Sequence, residues 1–218
     1  MKDNLLLTGT IGIAEIPFIT NYEEVKKRLS IRLNNKERLL TSRPGAVYEP
    51  FLDFAVTCHI DVTDLMGTAA TCMVKKGQME YIGVGQERMF ADAKANSMKT
   101  RPGVTMPIED YMGGMGFPFV MEGEPEHKLM IAITEGLMYG AGVVLYPGFL
   151  EQISDGRDLF MIPSSIHEWL YLEDKGGFTA EELTGLLRVV NREVVEEEEV
   201  LADWLYYYDG KKGEMRRA

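Results

Sequence analysis

Cysteine and histidine are scarce: 218 residues hold two of the first, Cys58 and Cys72, and three of the second, His59, His127 and His167. So few soft ligands leave little from which to build a metal centre. There is no CxxC pair and no HExxH, and a three-histidine zinc site would have to recruit every imidazole in the chain. Cys58 and His59 are neighbours, but successive strand side chains point to opposite faces. No metal is therefore expected. Cys58 and Cys72 fall on two candidate strands flanking a turn at residues 64–67, nearly opposite each other by count, and read as buried, reduced thiols of a reducing compartment.

Long apolar runs are missing too. None approaches the roughly 18 residues that a membrane helix requires. The opening stretch, MKDNLLLTGTIGIAEIPFI, is broken by Thr8, Gly9 and Thr10 and makes a poor export leader. Residues 1–19 are expected to form an arm or strand, and the chain is expected in the cytoplasm, away from membranes. Basic charge is in deficit, with a net charge of −11. Residues 1–109 carry 14 basic and 13 acidic side chains, and residues 110–218 carry 9 and 21. An acidic surface repels phosphate backbones, so nucleic acid is not the expected partner. A protein partner, or a second copy in a homo-oligomer, is compatible with it.

The nucleotide motifs are absent as well. Gly83, Gly114 and Gly140 each open a GxG, but none continues to a third glycine, and Pro118 stands where a helix would have to begin. There is no GxxxxGK[ST] and no GxSxG. No cofactor is expected.

What is present reads as an α+β protein. It should be a single domain over 20–218, with a mixed or antiparallel sheet packed by a few amphipathic helices and residues 129–215 forming a compact half. Asn21 precedes an acidic helix start. LSIRL alternates and suits a strand or a continued helix. FLDFAVTCHIDV and GTAATCMVK suit a hairpin. ERMFADAKANS suits a helix with Met89, Phe90, Ala93 and Ser97 on one stripe. MPIEDYM suits a strand end and a short helix, and Gly113–His127 a long loop. LMIAIT, GVVLY, DLFMIP and IHEWLYL suit strands, and PGFLEQIS a short helix with Pro147 in its first turn. Phe178–Val195 is the clearest helix: Thr179 and Glu182 form a capping box, and Leu183, Leu186, Leu187 and Val190 form one apolar face. The acids at 196–199 suit the first turn of a short helix. WLYYYDGKKGEM suits a strand, a turn and a last strand.

Three clusters are candidates for function. Ser164, Ser165, His167 and Glu168 hold the residue types of a hydrolase within five positions. If 166–172 is a strand, Ser165 and His167 share one face and Glu168 points to the other, so the cluster is no triad by itself. Trp204, Tyr206, Tyr207 and Tyr208 form an aromatic run suited to core packing or an interaction surface. Asp53 and Asp61 share strand parity and suit an exposed polar edge.

The succession LYPG-helix, PSSIHE-strand, amphipathic helix ending in Val190-Asn191, acidic stretch and strand ending in Tyr-Asp resembles a family of bacterial proteins found in gut clostridia, DUF5688. The resemblance covers 129–215 closely and 21–112 more loosely. It implies one α+β domain and carries no activity onto any residue. Taken together, the sequence favours a non-catalytic interaction or regulatory protein, with a small hydrolase or transferase using Ser165, His167 and Glu168 as the alternative.

Overall fold

The computed structural model describes residues 15–116 and 128–218. Ile16 and Ile19, in the segment expected to form an arm or strand, are buried in the core. The first unit runs α1 (Tyr22–Lys26), β1 (Leu29–Asn35), α2 (Lys36–Ser42), β2 (Tyr48–Phe51), β3 (Phe54–Asp61), α3 (Thr63–Met66), β4 (Thr71–Met73), α4 (Met79–Ile82) and α5 (Gln86–Thr100). β3 is central, with β1 on one edge and both β2 and β4 on the other, all antiparallel. The alternation of LSIRL is thus that of a strand. Cys72 lies opposite Ile60, two residues out of register with Cys58, and both thiols are free.

β1 is an edge strand, and α5 satisfies its outward backbone groups. The Ile31 N–H donates to Ser97 Oγ (2.9 Å), and Asn96 Nδ2 donates to the Leu29 carbonyl (2.7 Å). A backbone edge left open would invite foreign strands, and these side chains close it. The stripe expected for α5 is the buried one: Met89, Phe90, Ala93 and Ser97 all face inward.

The second unit runs β5 (Gly103–Pro107), α6 (Ile108–Gly114), β6 (Met130–Thr134), α7 (Phe149–Ser154), β7 (Leu159–Ile162), β8 (Trp169–Glu173), α8 (Ala180–Glu193), β9 (Tyr206–Asp209) and β10 (Glu214–Arg217). Its strands form one antiparallel sheet in the order β10-β9-β7-β8-β6-β5. The C-terminal sheet therefore begins at Gly103, not at 129, because β5 pairs with β6. α6 ends at Gly114, and residues 117–127 of the expected loop lie outside the described residues. One apolar core runs through both sheets, from Ile16 to Tyr208. The architecture is α+β.

Some local expectations fail for physical reasons. GVVLY is not a strand: Gly140–Leu145 is a buried 3₁₀ segment. Its entry is fixed by a close approach, since a Cβ on Gly140 would fall 2.5 Å from the His167 carbonyl oxygen and 2.7 Å from Thr134 N. A short, fully buried apolar run does not reveal its period, so helix and strand look alike in sequence. Pro147 in turn precedes Gly148, the N-cap of α7, and lies outside the helix.

The second failure is the face of α8. The capping box forms as read, with Thr179 Oγ1 accepting from Glu182 N–H and Glu182 Oε2 accepting from Thr179 N–H. The buried ridge, however, is Leu183, Leu187 and Asn191, whereas Leu186 is 61% exposed and Val190 is exposed too. Asn191 takes the third place because its Nδ2 donates to Ala202 O (2.8 Å) and Asp203 Oδ1 (2.9 Å). A polar residue that ties down the next segment displaces an apolar one that has nothing to pack on.

Candidate functional site

The serine–histidine cluster sits in a turn, since β8 begins only at Trp169. Ser165 Oγ donates to Glu168 Oε1 (2.8 Å) and accepts from the His167 N–H (2.9 Å). Strand alternation therefore does not apply, and Glu168 turns toward Ser165 rather than away. The hydroxyl closes a local turn of the kind serines stabilise. The imidazole faces elsewhere. His167 Nδ1 accepts from the Tyr139 N–H (3.0 Å), which leaves the proton on Nε2 to donate to Glu199 Oε1 (3.2 Å). An acid does arrive from a distant segment, but it meets the ring on the side that a serine would need. With both ring nitrogens committed, the imidazole has no hydrogen bond to a hydroxyl. It anchors the short 3₁₀ turn Glu197–Glu199 to the loop before β8, helped by the Ile166 N–H on the Glu199 carbonyl (2.9 Å).

The aromatic run is divided by strand alternation. Tyr206 and Tyr208 are buried, so they cannot belong to an exposed interaction surface. The Tyr206 ring packs against Phe54 (5.1 Å) and edge-on to Trp169 (5.7 Å). Its hydroxyl donates to Asp53 Oδ2 (3.0 Å) and accepts from Trp204 Nε1 (2.9 Å). Burial raises its pKa, with Asp53 adding to the shift. Tyr207 points to the other face, where its hydroxyl reaches Asp174 Oδ2 (3.1 Å). The run joins the two sheets and leaves Trp204 and Tyr207 half-buried. Asp53 belongs to this joint, and Asp61 accepts from the Thr63 N–H (2.8 Å) at the end of β3.

A site that the sequence reading missed lies on the polar face of the first sheet. Directly opposed residues of an antiparallel ladder share a face. The registers Ser30↔His59, Arg32↔Thr57, His59↔Met73 and Asp61↔Thr71 therefore put these residues on one surface with Asn34. Such a face normally meets water. Here it is largely covered: Ser30 and Thr57 are buried, and His59 is only 7% exposed. What covers it forms a cleft of about 750 Å³, walled by Arg32 and His59 on the sheet, Arg38 and Arg43 around α2, and Tyr139 and Glu197 from the C-terminal half. That volume suits a small ligand.

The cleft is lined by three arginines, Arg32, Arg38 and Arg43, and three glutamates, Glu37, Glu197 and Glu198, and its sheet wall is under-satisfied. The Arg32 guanidinium stacks on Tyr139, with Cζ 3.3 Å from the ring centroid, and Nη2 donates to Thr71 Oγ1 (2.5 Å). Its Nε is buried without a partner, and among the described residues no carboxylate lies within 4.0 Å of it. Burial lowers its pKa to about 10. Tyr139 reaches it from a left-handed backbone, φ 54°, which is costly for a residue other than glycine. His59 Nε2 lies 3.0 Å from Thr57 Oγ1, which also accepts from Asn34 Nδ2 (2.9 Å), while His59 Nδ1 has no partner. Burial, then Arg32, Arg101 and Arg43, hold the His59 pKa well below the ordinary histidine value. Ser30 Oγ, opposite His59, is a third buried atom without a partner. Arg38 donates to the Glu197 carbonyl oxygen and lies 3.8 Å from its carboxylate.

Among the described residues no group of three or more His, Cys, Asp or Glu is placed to hold a metal, and no helix is long and apolar enough to cross a membrane. The fold and cleft define an α+β protein of two antiparallel sheets with a hollow lined by arginines and glutamates. The chain belongs to a family of unknown function, DUF5688, whose model matches residues 10–210. No curated protein and no solved structure matches it.

Proposed function

We propose that this is a non-catalytic binding protein and that its cleft takes the anionic group of a small ligand. One observation carries the reading. In a chain with 34 acidic and 23 basic side chains, Arg32 is mostly buried beside the cleft and no described acid neutralises it. A buried charge is normally paired, because leaving it alone costs stability. An arginine held in this way, and stacked on a strained tyrosine, suits an anion supplied from outside. The protein's overall negative charge keeps nucleic acid out of this role. The two free thiols suit a bacterial cytoplasm.

The test is a thermal melt and calorimetric titration of the full chain with sodium sulfate and sodium citrate, against sodium chloride at matched ionic strength. The wild type should gain melting temperature with the oxoanions, and Arg32→Met should not. Equal responses to chloride and oxoanions, or an unchanged response in Arg32→Met, would refute the reading. Native mass spectrometry of freshly purified protein gives a second view, by the mass of any retained molecule.

A further inference from the structure

We infer that an anion entering this cleft binds together with one proton, taken up at His59. The inference rests on the reading of the cleft as an anion site and adds its regulation. His59 lines the cleft with Arg32, Arg38 and Arg43 and with Glu37, Glu197 and Glu198, and burial and nearby arginines favour the neutral ring. From β1 come Ser30, directly opposite, and Arg32, diagonally placed. From β3 itself come Thr57 and, farther along the same face, Asp61, whose carboxylate is turned to the Thr63 N–H. From β4 come Met73 and Thr71. Beyond the ends of α2 and α5, Arg43 and Arg101 lie close enough to oppose a positive imidazole. No side chain with a hydrogen bond to the ring carries negative charge, since its one partner is the Thr57 hydroxyl.

An imidazolium needs two acceptors, one for each N–H. Thr57 Oγ1 can serve Nε2. Among the described residues nothing serves Nδ1, which is buried without a partner. An anion held by Arg32 and Arg43 changes the electrostatic term: it cancels the field of the arginines at the ring, which lines the same cleft. The ring that is neutral in the empty cleft is then stabilised in its charged form. Proton and anion favour each other's binding by the same factor, as linkage requires.

The sign follows directly. Occupancy raises the His59 pKa from its depressed value toward or above the ordinary one. Affinity for a non-titrating anion should then rise as pH falls, by at most about tenfold per pH unit, between the bound and empty pKa values. Above the bound value the proton no longer comes with the ligand, and affinity should level off.

Sulfate is the probe, because it keeps its charge from pH 5.5 to 8. The full chain is titrated with sulfate by calorimetry across that range, in buffers of different ionisation enthalpy. The expected result is tighter binding at lower pH, with a heat that varies with the buffer as proton uptake of up to about one per site demands. His59→Gln should bind sulfate with no pH slope and no buffer dependence. The histidine C–H resonances give a readout that needs no variant: one of three should shift its titration upward when sulfate is added. Sulfate binding in the wild type with a flat pH profile and buffer-independent heat would overturn the proton linkage while leaving the anion site standing. A slope that survives in His59→Gln would overturn the assignment to His59. No sulfate binding at any pH would remove the anion site, and this inference with it.

Discussion

Replacing Arg32 by methionine should stabilise the empty protein. Burial holds the guanidinium at about 10 against an ordinary 12.5, which at about 1.4 kcal/mol per pH unit is a cost to the folded state on the order of a few kcal/mol. Neutral pH lies below both values, so the full penalty is present there and fades only as pH climbs through the folded value. Methionine keeps the apolar stem and removes the charge. It forfeits the bond to Thr71, worth about 1 kcal/mol, while the attraction of Tyr139 is already contained in the shifted value. The balance is at least about 1 kcal/mol in favour of the variant. For a chain of this length that is a rise of about 2–4 °C in Tm, measured by calorimetry in a buffer without oxoanions. The same variant should lose its response to sulfate. Stability gained as binding is lost is the mark of a residue kept for a ligand. A fall of more than about 4 °C would show that Arg32 holds the fold together, and the argument for the cleft would lose its main support.

Other perturbations separate the remaining roles. Leu187→Asp places an unpaired carboxylate at a position only 4% exposed, a cost of several kcal/mol, on the order of the whole stability margin; circular dichroism should find it unfolded, whereas Leu186→Asp one position earlier should change stability by less than about 0.5 kcal/mol. Thr179→Ala removes the capping box and should cost about 1 kcal/mol, read as a Tm lower by about 2–4 °C. Ser165→Ala and His167→Ala should each lower stability by about 1 kcal/mol through lost turn bonds, and a fluorophosphonate probe should label neither Ser165 nor Ser164. Labelling of Ser165 that depends on His167 would restore the hydrolase reading.

Where one signal repeated over many residues, the sequence was legible. The α5 stripe, the Thr179–Glu182 box, the β3–β4 hairpin and the β9–β10 turn rest on periodicity and local hydrogen bonds, and they fold as read. Legibility ended where a distant contact decided. Val143 and Val144 look like strand residues until Gly140 is pressed against the His167 carbonyl. Leu186 and Val190 look buried until Asn191 claims the ridge. The cleft left a trace in the sequence: Ser30, Arg32 and Asn34 alternate with Leu29, Ile31 and Leu33, and Thr57, His59 and Asp61 alternate with Val56, Cys58 and Ile60. Two facing strands with polar alternate positions ordinarily mean a solvated surface. Only the packing of residues 139 and 197 over that surface turns it into an enclosure, and no short-range pattern encodes that.

The walls of the cleft come from segments far apart in the chain, with Arg32 and His59 on the first sheet and Tyr139 and Glu197 carried by the connections of the second. Neither half alone owns a receptor. A chain cut between Thr100 and Gly103 would yield two fragments, each with one wall, that could recover a ligand only by reassembling. The occupant would act as a rivet between them, and its concentration would set how firmly the two sheets stay joined.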